Sequence, residues 1–374
     1  MPESILITGG AGFIGSHAVE ASVRAGRRVR VLDDFSTGRR ANIAHWKSQI
    51  EVVEGDVRDL DLVRDAARGC ELVLHLAAIA SVQRSLDDPE ETKAVNVDGT
   101  ENVLVAAREA SARRVVVASS CAVYGQPDDL PVDEWTILDP QSPYAASKAA
   151  AERLCLSLCD RGGLDIAPLR FFNVYGPRQD PSSDYSGVIA IFMDHLAAGT
   201  ACTIYGDGGQ TRDFVYVSDV IEACRLAFAA RRLGAQPLNI GTGVETSVRE
   251  LLAMLVQGTG IESEVINGPP RPGEVRHSKA SRNRAADQIG WDPEVRIADG
   301  LAATWAWYKA RREAGTEDDD EGGAAEPAVE PALTDHGAAS EAGSVRPGAA
   351  DAVETTESTP SPESIPVDPF SGDL

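Results

Sequence analysis

Ser4-Ile5-Leu6-Ile7-Thr8-Gly9-Gly10-Ala11-Gly12-Phe13-Ile14-Gly15-Ser16-His17 is the stretch on which the reading of this chain turns. A short apolar run of strand type breaks into glycines and opens at once onto a helical pattern over residues 13–25. The glycines satisfy two overlapping spacings, G-x-G-x-x-G (Gly10, Gly12, Gly15) and G-x-x-G-x-x-G (Gly9, Gly12, Gly15). A side chain in such a turn would keep a pyrophosphate from the backbone N–H groups at the helix N-terminus. The last glycine lets helix and strand approach closely. Gly9, Gly12, Phe13, Ile14 and Gly15 are therefore candidate dinucleotide contacts.

Working outward, strand-like runs at 29–33, 52–54, 72–76, 114–119 and 165–170 alternate with helical patterns at 60–68, 95–110 and 144–161. Near-continuous apolar strands alternating with helices predict a doubly wound parallel α/β sheet of the Rossmann type over residues 1–170. Asp33 closes the second strand. A carboxylate there accepts hydrogen bonds from ribose hydroxyls and repels a 2′-phosphate, which favours NAD over NADP. Arg39 and Arg40 nearby keep NADP in view. After Arg170 the rhythm breaks into a Gly/Pro/Asp/Ser-rich loop. A smaller α+β domain is predicted over 171–315, with some segments returning to the main sheet. Residues 316–374 carry almost no large apolar residue, and a disordered acidic tail is expected there.

The net charge of the 374 residues is -23, and the stretch from Thr316 onward contributes fifteen acids against one Arg. Such a surface repels phosphate backbones and anionic lipid, which argues against nucleic-acid and membrane binding. Any anionic ligand must be met by local Arg, Lys and backbone N–H. The N-terminus shows no basic n-region, so no signal peptide is expected. The longest uncharged apolar run, 72–82, is too short to span a bilayer. Six scattered cysteines form no metal-binding spacing; free thiols and a cytoplasmic protein are expected.

Two further pieces carry chemistry. Ser119-Ser120-Cys121-Ala122-Val123-Tyr124-Gly125 ends a strand at the carboxyl edge, where α/β sheets bind ligands. Tyr144-Ala145-Ala146-Ser147-Lys148 opens the next long helix with Tyr144 and Lys148 one turn apart on one face. A free tyrosine titrates near 10, and working as a base near neutrality means lowering it by ~3 units, about 4 kcal/mol. The Lys148 ammonium and the positive ring of an oxidised nicotinamide are expected to supply that. Ser120 is placed to hold the reacting hydroxyl. Ser120, Tyr144 and Lys148 are the candidate catalytic residues.

Taken with Asp56-Val57, Leu76-Ala77-Ala78, Asn96, Asn173 and Arg212, these motifs make the chain, from about residue 4 to 309, similar to the extended short-chain dehydrogenase/reductase family. Within it the chain most resembles the UDP-hexose 4-epimerases. The resemblance implies a bound NAD, with Asp56 and Val57 flanking adenine. It places Leu76, Ala77 and Ala78 along the pyrophosphate and nicotinamide path and Phe172 near the nicotinamide. Asn96 would steady the cofactor, and Lys148 would bond its ribose. One departure is Ala80, where many such epimerases carry lysine.

The resemblance further implies a UDP-sugar substrate with Asn173, Arg212 and Arg271 (with Glu274) around the diphosphate, and Val188, Thr203 and Tyr205 bordering uracil. A gate position aligns with Ser278, whose small side chain leaves room for a 2-acetamido sugar. The related 4,6-dehydratases need an acid pair where Cys121 and Ala122 stand, and the decarboxylases a glutamate. The expected activity is therefore NAD-dependent C4 epimerisation, of UDP-glucose/UDP-galactose or of the N-acetyl pair. A UDP-glucuronate 4-epimerase and a non-catalytic NAD sensor are the alternatives. A homodimer through the helices at 95–110 and 144–161 is implied by the family.

Overall fold

A computed structural model describes residues 2–159, 163–180, 187–271 and 275–313. Glu274 and the acidic tail lie outside the described residues. Seven parallel strands form the main sheet. The first half supplies β1 (Ser4–Thr8), α1 (Phe13–Arg24), β2 (Arg28–Asp33), β3 (Ile50–Glu54), α2 (Leu60–Ala67) and β4 (Leu72–His75). Next come α3 (Val82–Asp87), α4 (Pro89–Lys93), α5 (Gly99–Glu109), β5 (Arg114–Ser120), α6 (Pro143–Leu158) and β6 (Asp165–Phe171). The second half supplies β7 (Asn173–Tyr175), α7 (Val188–Ala198), β8 (Cys202–Tyr205), β9 (Thr211–Arg212), β10 (Phe214–Tyr216) and α8 (Val217–Ala229). It ends with β11 (Leu238–Ile240), β12 (Thr246–Ser247), α9 (Val248–Thr259), β13 (Val265–Gly268), α10 (Asn283–Ile289) and α11 (Ile297–Glu313).

The sheet order is β3-β2-β1-β4-β5-β6-β11, so the chain reverses direction between β1 and β4. Such a switch point opens a crevice at the carboxyl ends of the strands. Alternation along each strand builds two cores. Ile5, Ile7, Val29, Val31, Leu72 and Leu74 pack on one face with α1 and α8 residues such as Val19 and Val220. Leu6, Leu32, Val73, Val115 and Val117 pack on the other with Val63 of α2 and Leu104 of α5. Each fully buried Leu, Val or Ile contributes roughly 1.5–3 kcal/mol, which is why both faces must be covered. β11 returns to the main sheet beside β6, as the sequence suggests for some late segments. A third core joins α7, β8, β10, α9 and α11 around Phe192, Met193, Ile204 and Leu255.

The structure differs from the sequence reading in detail. The helix predicted from residue 95 opens as a π-helical turn, Ala94–Asp98, and only then becomes α5. Helices α3 and α4 stand where no element is predicted. All six cysteines are free and four are buried. Among the described residues there is no cluster of metal-ligand side chains and no helix long and apolar enough to cross a membrane.

Candidate active site

The glycine turn fits against the switch point with no room to spare. A Cβ on Gly15 would lie 2.0 Å from the Gly9 carbonyl oxygen, and one on Gly9 would lie 2.7 Å from the Ala77 nitrogen. Gly9 also has φ +69°, a conformation open to glycine. Gly12 caps α1 without a side-chain hydrogen bond, and the first turn, with half-buried Phe13 and Ile14, holds no acid. That leaves a positive helix end for an anion. Asp33 sits beside it, buried, with Oδ2 accepting from Ala11 N at 2.8 Å and Oδ1 from Phe35 N at 2.9 Å. Burial pushes its carboxyl up while those two N–H groups pull it down. Asp33 thus pins the glycine turn to the loop after β2. Arg39 pairs with Asp180 and Arg40 with Glu54, so both arginines are occupied by carboxylates. Asp56 is bound by Arg58, which lowers its carboxyl, and Val57 is buried against Gly99.

Behind the turn runs a buried chain of side chains. Thr8 Oγ1 and His75 Nδ1 are 2.7 Å apart, His75 Nε2 and Thr100 Oγ1 2.9 Å, and the Thr100 hydroxyl donates to Asn96 O at 2.6 Å. With Thr100's proton committed, His75 must donate from Nε2 and accept from Thr8 at Nδ1, a neutral ring. Burial, with Lys148 nearby, pushes that imidazole down to about 3. The Asn96 amide accepts from Ile79 N (2.8 Å) and donates to Ile79 O (2.9 Å) and Ser147 Oγ (3.0 Å). It therefore fixes the half-buried Leu76-Ala77-Ala78 path to α6, holding the site at one remove.

Ser120, at the carboxyl end of β5, lies near enough to the half-buried Tyr144 hydroxyl to favour its phenolate. Lys148 lies one turn along α6, buried, its Nζ donating to Ala118 O at 2.9 Å. In the protein's own groups, burial pushes the Tyr144 phenol up to about 12, with Ser120 pulling against it, and pushes Lys148 down to about 8. Charge brought by a ligand is the remaining means of lowering the phenol.

A further turn on, Glu152 binds Ser119 Oγ and takes a bidentate pair from Arg170 at 2.9 and 2.7 Å. Arg170 also donates to Tyr124 OH at 2.7 Å, which donates to Asn239 at 2.6 Å. Arg170→Met leaves Glu152 buried without its cation. The expected cost is roughly 3–5 kcal/mol in denaturant unfolding. A loss below about 1 kcal/mol would show that water reaches this carboxylate.

The segment after β6 brings the other half of the site. Phe172 is buried 6.5 Å (ring centroids) from Tyr124, and Asn173 Oδ1 is a buried oxygen with no hydrogen-bond partner among the described residues. An orphan acceptor of this kind awaits a donor. Arg212 on β9 donates to Thr211 O and Val275 O at 2.8 Å, and its charge reaches Cys121. Thr203 and Tyr205 share one face of β8 over Gly268, and Arg271 stacks on the Tyr205 ring at 4.0 Å. Val188 opens α7 and packs on the third core. Ser278 lies beside the Cys121 thiol and favours its charged form. Residues 177–180 are stitched to α1 by His17 Nε2 to Pro177 O (2.9 Å) and Arg178 to Glu20 (2.7 Å), and to the loop after β2 by the Arg39–Asp180 pair.

The sequence reading did not single out His75, Thr100, Glu152, Asp213 or His17. Asp213 is wholly buried and accepts from Thr242, Gly243 and Ala280. The one available signal was acids and histidines in apolar runs, which does not name their partners.

The profile of the NAD dependent epimerase/dehydratase family matches residues 5–241. A UDP-glucose 4-epimerase of Mycolicibacterium smegmatis is 42% identical over 308 residues, covering 81% of this chain and 98% of that protein. A dTDP-glucose 4,6-dehydratase of Streptomyces niveus is 34% identical over 318 residues, 82% of this chain and 93% of that one. Among solved structures, a UDP-N-acetylglucosamine 4-epimerase of Methanobrevibacter ruminantium superposes with TM-score 0.79 at 32% identity. It covers 83% of this chain and 100% of that one. The glycine turn, the Ser-Tyr-Lys arrangement and these matches agree: the chain belongs to the NAD-dependent epimerase/dehydratase family of extended short-chain dehydrogenase/reductases, and it is an enzyme.

Proposed function

We propose that this enzyme epimerises a UDP-hexose at C4, accepting the UDP-N-acetylhexosamine pair as well as, or in preference to, UDP-glucose and UDP-galactose. The observation that carries the reading is that Ser120, which pulls on the Tyr144 phenol across the end of β5, is followed directly by Cys121 and Ala122. Burial pushes the Cys121 thiol up to about 11, so it stays protonated and is no acid for eliminating water from the sugar. The likeness to a UDP-glucose 4-epimerase at 42% identity supports the same reading.

Gly9, Gly12, Phe13, Ile14 and Gly15 would hold the NAD pyrophosphate, with Asp33, Asp56, Val57, Asn96, Phe172 and residues 76–78 along the rest of it. NAD bound there would supply a hydride acceptor for C4 and, once reduced, the hydride donor for its opposite face. Tyr144 removes the proton of the 4-hydroxyl and later restores it, Ser120 holds that oxygen in line, and Lys148 orients the ribose. Asn173, Arg212 and Arg271 grip the diphosphate, far from the reacting carbon, while Val188, Thr203 and Tyr205 border uracil. The sugar is then free to turn about its tether. Ser278 bounds the sugar's 2-substituent. Free thiols support a cytoplasmic location, and the exposed Leu156 on α6 supports pairing with a second copy.

Purified protein without added cofactor should interconvert UDP-N-acetylglucosamine with its galacto epimer, and UDP-glucose with UDP-galactose, when the products are resolved by chromatography. Release of water from these sugar nucleotides, or of CO2 from UDP-glucuronate, without epimer would replace this reading with a dehydratase or decarboxylase.

A further inference from the structure

Residues 277–280 run past the Ser120–Cys121 turn with their side chains alternating. Ser278 faces the Cys121 thiol. His277 and Lys279 reach the other way, to Glu245: His277 Nδ1 is 3.8 Å from Oε1 and Lys279 Nζ is 4.0 Å from Oε2. Thr211 completes the cluster, its hydroxyl donating to Glu245 Oε1 at 2.7 Å with His277 Nδ1 at 3.0 Å. The Thr211 backbone N–H donates to Arg276 O at 2.9 Å. On the inner side, Asp213 accepts from Ala280 N at 3.0 Å. One carboxylate therefore grips the segment from outside and another from within. Glu245 immediately precedes β12, which pairs antiparallel with β9.

We propose that Glu245 is a positioning residue for substrate choice. By holding His277, Lys279 and Thr211 it fixes where the Ser278 side chain stands, and so the width of the pocket beside the sugar's 2-substituent. This rests on the placing of Ser278 under the proposed function. Glu245 touches no reacting atom, and half-exposed ion pairs of this kind add little to stability, so its loss should leave the fold intact. A 2-acetamido group needs a fixed wall, whereas a 2-hydroxyl does not fill the space.

The test compares Glu245→Ala and Glu245→Gln with the wild type. Glu245→Ala should raise KM for the acetamido pair at least five-fold while kcat and the KM for UDP-glucose stay within two-fold. It should also speed alkylation of Cys121 by iodoacetamide several-fold, read by peptide mass spectrometry. Glu245→Gln keeps an acceptor for Thr211 and should recover most of both. Equal changes for both sugar pairs, or no change, overturn the proposal. Should the wild type turn over neither pair, the proposed function fails by itself. Cys121 alkylation then decides the clamp: faster in Glu245→Ala upholds it, unchanged overturns it.

Discussion

Tyr144→Phe is expected to lower kcat by roughly 100- to 10,000-fold, the range for removing a general acid–base. The ring stays where it is, half-buried at the start of α6, so the fold and the glycine turn are untouched. What disappears is the one hydroxyl that Ser120 holds at the carboxyl end of β5. Nucleotide released by denaturing the variant should equal that of the wild type, which separates lost chemistry from lost cofactor. The direction with pH follows from the phenol itself. Its base form grows as pH rises, and burial holds its titration up near 12 in the protein's own surroundings. The wild-type rate should therefore rise with pH through the neutral range, and the small residual rate of Tyr144→Phe should not. A variant keeping more than a tenth of the activity would remove Tyr144 from the chemistry, as would a non-catalytic NAD sensor.

The second large effect is Gly15→Ala. The new Cβ would meet the Gly9 carbonyl oxygen at 2.0 Å and Gly10 Cα at 2.8 Å, both backbone atoms that cannot swing aside. Either the turn or α1 must move, misaligning the N–H groups that face the pyrophosphate. Forcing extra volume into such packing costs roughly 1–3 kcal/mol, and the cofactor, held by that turn, should be lost from the purified protein. Gly26→Ala is the control. Gly26 has a positive φ (+73°), which Gly15 lacks, but a Cβ there meets nothing within 4 Å, so the change should cost some stability and leave NAD content unchanged. Equal NAD content in Gly15→Ala and the wild type would mean the turn does not carry the dinucleotide.

Much of this was legible in the sequence because it is local. A glycine turn between strand and helix, an acid closing the second strand, and Tyr and Lys four apart each sit within one element or its edge. The sheet followed from apolar strands alternating with helices. The rest depends on contacts between distant residues. Arg170 and Glu152 are 18 positions apart, and Asn239 reaches Tyr124 from 115 positions away. No periodicity names such partners. The protonation of Tyr144 is of the same kind. The sequence places a cation one turn away, but how much water the cleft removes is a property of the whole packing.

The stitching of residues 177–180 to α1 bears on how the molecule works over many cycles. His17 and Glu20 tie the strap that leads away from Asn173 to the helix rising from the glycine turn, and Arg39 ties it to the loop after β2. Under the proposed function, the spacing between the two nucleotides would be set by these side-chain bonds. The protein would then work as a jig more than a jaw, with the tumbling of one loose hexose as the step left to motion.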